Sequence, residues 1–360
     1  MKLAIERAEL EKGLEKLSPV WGDARENSLE ELVEFTVESR LLRLRASRWS
    51  FAAEVQVPLY ETADEVGLFY LSAPEIAGLI GDADSLIHLV VLDNSTCTLS
   101  YRNTRLDIQP RHWGVPSSFP SIDDSGTNPV LIPMYVVQNG LEVCEPCLPT
   151  VQSVIYKPGV QFKPDSVQAT DGQRIGIYKT GTGSQEFAVP AQVIPVIKSM
   201  FVHNPGDATI QLRTDSRYME MAIGKDRVFF RLMSAPFNLK LLAHGLPDFI
   251  PAFQADRNGF IFGGGQVSAI QKDRSSIILS RQGEDLLFSA YTGPHKIGES
   301  FLRVSWKTPD QNFTAQVNWR AVSSMLSSLC TETVNFGTGV SCGRTFIVFD
   351  EDDRRLYVLA

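Results

Sequence analysis

The sequence is short of cysteine and histidine, has no long apolar run and carries no excess of positive charge, and each shortage removes a class of protein. Five cysteines in 360 residues are an odd number scattered along the chain, which suits a reducing compartment better than a disulfide framework. The five histidines, His88, His112, His203, His244 and His295, form no His-x-x-x-His or His-Glu pairing of the kind that holds a metal. No apolar stretch reaches the length of a membrane span, and Met1 to Arg7 meets charge too early for a signal peptide, so a cytoplasmic protein is expected. A net charge of −8 argues against a surface that is basic all over, while leaving room for one basic face on an acidic body.

What is present is an ordinary chain, 43% hydrophobic and 21% charged, long enough for two or three domains. Met1 to Glu6 reads as a short strand. Leu10, Leu14 and Leu17 then form one helical stripe, opposite Arg7, Lys12 and Lys16 interleaved with Glu9, Glu11 and Glu15, and Ser18-Pro19 is expected to close that helix. Those charges read either as a solvated helix face or as part of a basic set. Strands are expected around residues 32–37, 41–46 and 51–57. Ser72-Ala73-Pro74-Glu75 has the capping-box spacing ahead of Ile76, Leu79 and Ile80. Further strands follow at 87–91, 97–101 and 106–108.

The same grammar then returns. After a linker rich in Pro, Ser, Asp and Gly from Gly114 to Pro129, a strand at 130–132 precedes a helix carrying Val137, Leu141 and Cys144. A hairpin spans Gln168 to Tyr178, and Phe187-Ala188-Val189-Pro190 is expected to open a second helix bearing Val193, Val196 and Ile197. Strands follow at 209–212, 218–223 and 228–232. A third cycle starts near Phe260, with a helix around Val267 and Ile270, strands at 277–279 and 286–289, and a second helix from Val317 to Leu329. The second helices begin near Ser72, Val189 and Val317, about 120 to 130 residues apart, which is one ordinary domain per period. The expected architecture is α+β: three similar domains, 1–125, 126–250 and 251–360, each packing two helices on antiparallel sheet.

Within the central hairpin, Ala169-Thr170-Asp171-Gly172-Gln173-Arg174 closely resembles the Ala-Thr-Asp-Gly-His-Arg-Leu signature in the middle domain of bacterial sliding clamps, the beta subunit of the replicative DNA polymerase. The likeness runs nearly the full length. It takes in Met1 to Leu17, Phe119-Pro120-Ser121-Ile122, Phe187-Ala188-Val189-Pro190, Gly245-Leu246-Pro247-Asp248-Phe249 and Tyr357-Val358. The resemblance implies the clamp fold and a homodimeric ring around duplex DNA. It implies an accessory subunit rather than an enzyme, tethering the replicative polymerase, placed by a clamp loader and shared with other proteins that carry clamp-binding peptides. No metal or nucleotide cofactor is implied, since a separate loader would use the ATP.

The same resemblance implies loose phosphate contacts, for which Lys12, Lys16, Arg25, Lys198 and Lys272 are the candidates. It also implies a peptide pocket, with Thr170, Gly172, Gln173, Arg174 and Ile175 on one side, Pro247 and Phe249 near the other, and Val358 and Leu359 completing it. Two departures bear on that pocket. Gln173 stands where the family usually has His, and the chain stops at Leu359-Ala360 where the family continues with a Met-Pro-Met-Arg-Leu-like tail. A phage, plasmid or mobile-element clamp, or one that sequesters partners, is therefore the alternative.

Three other motifs are weighed against this. Gly339-Val340-Ser341-Cys342-Gly343 matches the nucleophile elbow of serine hydrolases, a distant alternative through Ser341. The elbow needs a following helix, whereas Thr345 to Phe349 reads as a strand and no histidine follows. Cys144-Glu145-Pro146-Cys147 has redox or zinc spacing but lies near the end of a helix. Gly263-Gly264-Gly265 lacks the Lys-Ser/Thr of a phosphate loop and is expected to be a turn.

Overall fold

The computed structural model describes residues 1–21, 32–48, 50–81, 86–92, 96–108, 119–120, 122, 129–149, 158–181, 186–202, 209–233, 248–271, 276–308, 312–341, 344–351 and 353–360. One order of elements runs through them three times: strand, helix, four strands, helix, three strands. The first pass is β1 (Lys2–Glu6), α1 (Arg7–Trp21), β2 (Leu32–Val37), β3 (Leu41–Arg48), β4 (Phe51–Pro58), β5 (Gly67–Ser72), α2 (Ala73–Ile80), β6 (Leu86–Val91), β7 (Cys97–Tyr101) and β8 (Thr104–Ile108). The second is β9 (Val130–Pro133), α3 (Met134–Cys144), β10 (Gly159–Phe162), β11 (Ser166–Thr170), β12 (Arg174–Lys179), β13 (Phe187–Pro190), α4 (Ile194–Phe201), β14 (Thr209–Thr214), β15 (Tyr218–Ile223) and β16 (Asp226–Arg231). The third is β17 (Ile250–Asp256), α5 (Arg257–Ile270), β18 (Ser276–Gln282), β19 (Asp285–Thr292) and β20 (His295–Arg303), then an added two-residue β21 (Ser305–Trp306). It ends with β22 (Thr314–Asn318), α6 (Trp319–Leu326), β23 (Thr333–Ser341), β24 (Arg344–Glu351) and β25 (Arg354–Leu359).

These elements gather into two compact units, Met1–Tyr135 with Gln192–Leu232, and Val136–Ala191 with Met233–Ala360. The first holds a sheet ordered β1-β6-β7-β8 and another ordered β5-β2-β3-β4-β16-β15-β14-β9. The second holds β13-β10-β11-β12-β25-β24-β23-β17-β21 and β20-β19-β18-β22. The units do not follow the boundaries expected near 125 and 250. Hydrogen-bonded sheet crosses from one pass to the next: β4 pairs with β16 in the first unit, and β12 with β25 in the second.

Period-two alternation sets the buried faces, as in β3, where Leu42, Leu44 and Ala46 are buried and their neighbours are not. The stripe Leu10, Leu14 and Leu17 of α1 is buried as its spacing predicts, and Gly13 lets that helix press on Val57 of β4. Pro19 does not end this helix, which continues to Trp21. A proline deprives the carbonyl four residues earlier of its donor. Here that carbonyl, Glu15, accepts from the Ser18 hydroxyl (2.8 Å) and the Ser199 hydroxyl (3.1 Å) instead.

Four local expectations are corrected. Ser72 precedes α2 but its side chain makes no cap hydrogen bond; it is also the last, buried residue of β5. Phe187–Pro190 is a strand rather than a helix start: it pairs with Gly159–Phe162, and Phe187 stacks on Phe162 with centroids 4.4 Å apart. The helix follows it, with a proline in its first turn where the missing N–H costs nothing. Val317 lies in β22 opposite Ile277, and α6 begins only after Asn318, whose side chain accepts from the Ala321 N–H at 3.3 Å. Gly263, Gly264 and Gly265 sit inside α5 rather than in a turn. A β-carbon at Gly264 would overlap the Trp319 indole, so tertiary packing uses glycines that local propensity assigns to a break.

Candidate partner site and nucleic-acid contacts

The signature turn between β11 and β12 is held by its own side chains. Asp171 Oδ1 accepts the N–H groups of Gln173 (2.9 Å) and Arg174 (2.7 Å). The Thr170 hydroxyl donates to the Arg174 carbonyl (2.7 Å) and accepts from the Gly172 N–H (3.0 Å). Gly172 has φ 87°, a region a side chain resists. The Arg174 guanidinium closes back on the turn, with Nε 2.7 Å and Nη2 2.6 Å from Asp171 Oδ2. Arg174 is therefore neutralised by its neighbour, while Gln173 points to solvent and Thr170 is buried.

Cross-strand partners share a face of the sheet, and this divides the expected pocket in two. On one face Ile175 lies opposite Tyr357, and Tyr357 opposite Val348; Ile177 and Phe346 complete the cluster, with Phe249 and Leu359 packed against it. On the other face Arg174 lies opposite Val358, Val358 opposite Ile347, Ile347 opposite Thr338, and Thr338 opposite Ile250. Ile175, Phe249 and Leu359 are thus separated by the sheet from Arg174 and Val358. The first face is already filled by the chain itself, since none of its five clustered residues is more than 4% exposed. The second is as buried in its middle, with Val358 2% and Ile347 1% exposed, but carries accessible apolar groups towards Ile250, with Ile250 53% and Val340 63% exposed. The exposed apolar surface of this face therefore lies at the Ile250 end of the row. Ile347, Thr338 and Ile250 are missing from the sequence-based set. The run Thr345 to Phe349 is continuously apolar after its first residue, so alternation could not say which residue faces which way. Pro247 lies outside the described residues.

Of the basic candidates, Lys198 is exposed on α4 and Lys12 is half-buried on α1, where it lines a cleft with Glu9 and Lys225. Lys16 is corrected. It is only 8% exposed, and its Nζ lies 2.5 Å from Asp226 Oδ2, while Asp226 Oδ1 accepts the Gln56 N–H at 3.3 Å. A buried ammonium bound to a carboxylate has no free charge to offer a phosphate. Arg25 and Lys272 lie outside the described residues.

Cys144 and Cys147 are fully buried, and loss of solvent pushes both thiols well above the usual thiol range. Cys144 Sγ sits 3.6 Å from the Gly176 carbonyl, so the pair packs beneath the signature hairpin. Among the described residues, no three His, Cys, Asp or Glu side chains are placed to hold a metal ion. Ser341 ends β23, and the next element is the antiparallel strand β24, whereas a nucleophile elbow leads into a helix. No helix among the described residues is long and apolar enough to cross a membrane.

No protein-family model matches the chain, and no curated protein matches it either. Solved structures do, over its whole length. The DNA polymerase III subunit beta sliding clamp of Pseudomonas aeruginosa, bound to griselimycin, superposes with a TM-score of 0.84 at 17% identity, covering 100% of this chain and 98% of that one. The DNA polymerase III beta subunit of Thermotoga maritima gives 0.83 at 14% identity, over 99% and 98%. The Helicobacter pylori beta clamp bound to a DNA ligase peptide gives 0.78 at 15% identity, over 100% and 99%. The chain has the fold of the bacterial beta sliding clamps.

Proposed function

We propose that the chain is a DNA sliding clamp, three clamp domains long, of which two copies close head to tail into a ring around duplex DNA. The observation that carries this reading is the way its sheets continue. The third of the four strands that follow each pass's first helix, β4 and then β12, pairs with the last strand of the next pass, β16 and then β25. In the third pass the corresponding strand is β20, and in the first pass the last strand is β8. Both stand at the ends of their sheets. A second copy that sets its β8 against β20 extends the same rule, and two such joints close a ring. Edge strands left open invite such pairing, and Ile297 and Phe301 on β20, 37% and 51% exposed, supply apolar contact.

A clamp needs no reaction of its own. Retention is topological, so phosphate contacts can be weak and still keep a polymerase on its template. Lys12, Lys198, Arg25 and Lys272 are assigned that contact, and Lys16 is left out because Asp226 holds it. The row from Arg174 to Ile250 is assigned to the clamp-binding peptides of the replicative polymerase, the clamp loader and other partners. The peptide-bound Helicobacter pylori clamp supports that assignment by analogy of fold.

The test is solution mass by light scattering, joined to retention on nicked circular and linearised DNA after loading. The reading expects a dimer of the 40.0 kDa chain that stays on circles and slides off linear ends. A monomer that never loads, or equal retention on both DNAs, would replace it with a partner-sequestering role.

A further inference from the structure

Phe249 lies just ahead of β17 and is not one of that strand's paired residues, yet it is held by Arg355 and Gly337. The Arg355 guanidinium stands over its ring, 5.3 Å from the centroid. Asp350 fixes Arg355 from the neighbouring strand, with Oδ1 2.5 Å from Nε. Gly337 leaves the space beneath, because a β-carbon there would overlap both the Phe249 ring and the Ile250 carbonyl. The next residue, Ile250, pairs with Thr338 and begins the strand. Fixing Phe249 on one face of the sheet therefore fixes where Ile250 emerges on the other, at the accessible end of the row that starts at Arg174.

The first unit contains a similar contact, although not at a corresponding place: Phe119 lies eleven residues ahead of β9, whereas Phe249 directly precedes β17. The Arg45 guanidinium stands 4.8 Å from the Phe119 ring centroid, and carboxylates hold that arginine too. A planar guanidinium that is ion-paired at its edge still offers its face to an aromatic ring, which a lysine does less well.

We infer that Arg355, held by Asp350, is a positioning residue for the partner site: it holds Phe249 down on Gly337 and so places Ile250 against an incoming peptide. The inference rests on the proposed clamp reading, and its test separates the two. Arg355→Lys keeps the charge and removes the planar face. Deuterium exchange of the Phe249 and Ile250 amides reports the position of the segment without any peptide, and fluorescence anisotropy with a labelled DNA ligase peptide reports the site. The variant is expected to speed exchange at those two amides and to weaken the peptide about fivefold, the scale of one partly exposed cation–π contact. In a Phe249→Leu background the same change should do neither. Unchanged exchange in Arg355→Lys overturns the positioning role. Faster exchange with unchanged affinity overturns its link to the partner site. Failure of the unaltered protein to bind the peptide counts against the partner site alone, and exchange still decides the positioning.

Discussion

The segments leading into the second and third passes are both secured by an arginine over a phenylalanine, but the two arginines are anchored at very different depth. In the first unit Arg45 donates to Glu54 at 2.6 Å and to Glu34 at 3.1 Å, and those carboxylates are 2% and 5% exposed. Tyr70 donates its hydroxyl to Glu34 at 2.9 Å, and the Phe119 ring meets Phe229 edge-on at 5.1 Å. In the second unit, among the described residues, Arg355 is held by the half-buried carboxylate of Asp350. Coulomb attraction and desolvation both grow with burial, so a network with no water to fall back on is rigid and costly to break. A half-buried pair can give way locally. The second contact is the less buried of the two, and it lies beside the candidate partner site.

The sharpest way to break that contrast is Glu54→Ala, which leaves Arg45 facing a vacancy in a buried network. It should cost about 3–5 kcal/mol of stability, read from urea unfolding. Gly337→Ala probes the second contact through space rather than charge. The added methyl meets Phe249 and the Ile250 carbonyl, so a loss of about 1–3 kcal/mol is expected. Tyr70→Phe sharpens the first contact by pH. Burial, followed by the hydrogen bond to Glu34, raises the Tyr70 hydroxyl from 10.0 to about 12. A folded-state value above the unfolded one gives stability that is intact below pH 10 and is lost as pH rises towards 12. The variant should lose about 1 kcal/mol at neutral pH and show a flatter decline across that window. Asp350→Asn should have the smallest effect, about 0.5 kcal/mol, because its pair is partly solvated. Equal losses from Glu54→Ala and Asp350→Asn would erase the distinction between the contacts.

Much of this was legible in the residues. The stripe Leu10, Leu14 and Leu17 gives α1, the alternation of β3 gives its buried face, and Asp171-Gly172 gives the hairpin turn, because each follows from spacing and local backbone preference alone. Three of the misreadings share one cause. Pro19, Gly263 to Gly265 and Phe187 to Pro190 look like stops or starts by local preference, and each is overruled by a partner distant in sequence: Ser199, Trp319 and Phe162 respectively. The site shows the same division. Its residues stand in the sequence as a family resemblance, but neither the neutralisation of Lys16 by Asp226 nor the sorting of Ile175 and Val358 to opposite faces is written in any local pattern.

The sequence by itself determined the threefold order of strands and helices and the chemistry of the signature turn, since these depend on residues a few positions apart. Tertiary structure alone decided which sheets run on into one another, that Asp226 holds Lys16, and which side chains of β12 and β25 share a face. Those depend on contacts that span as many as 210 positions, where the nearest neighbour in space is set by chain topology rather than by propensity.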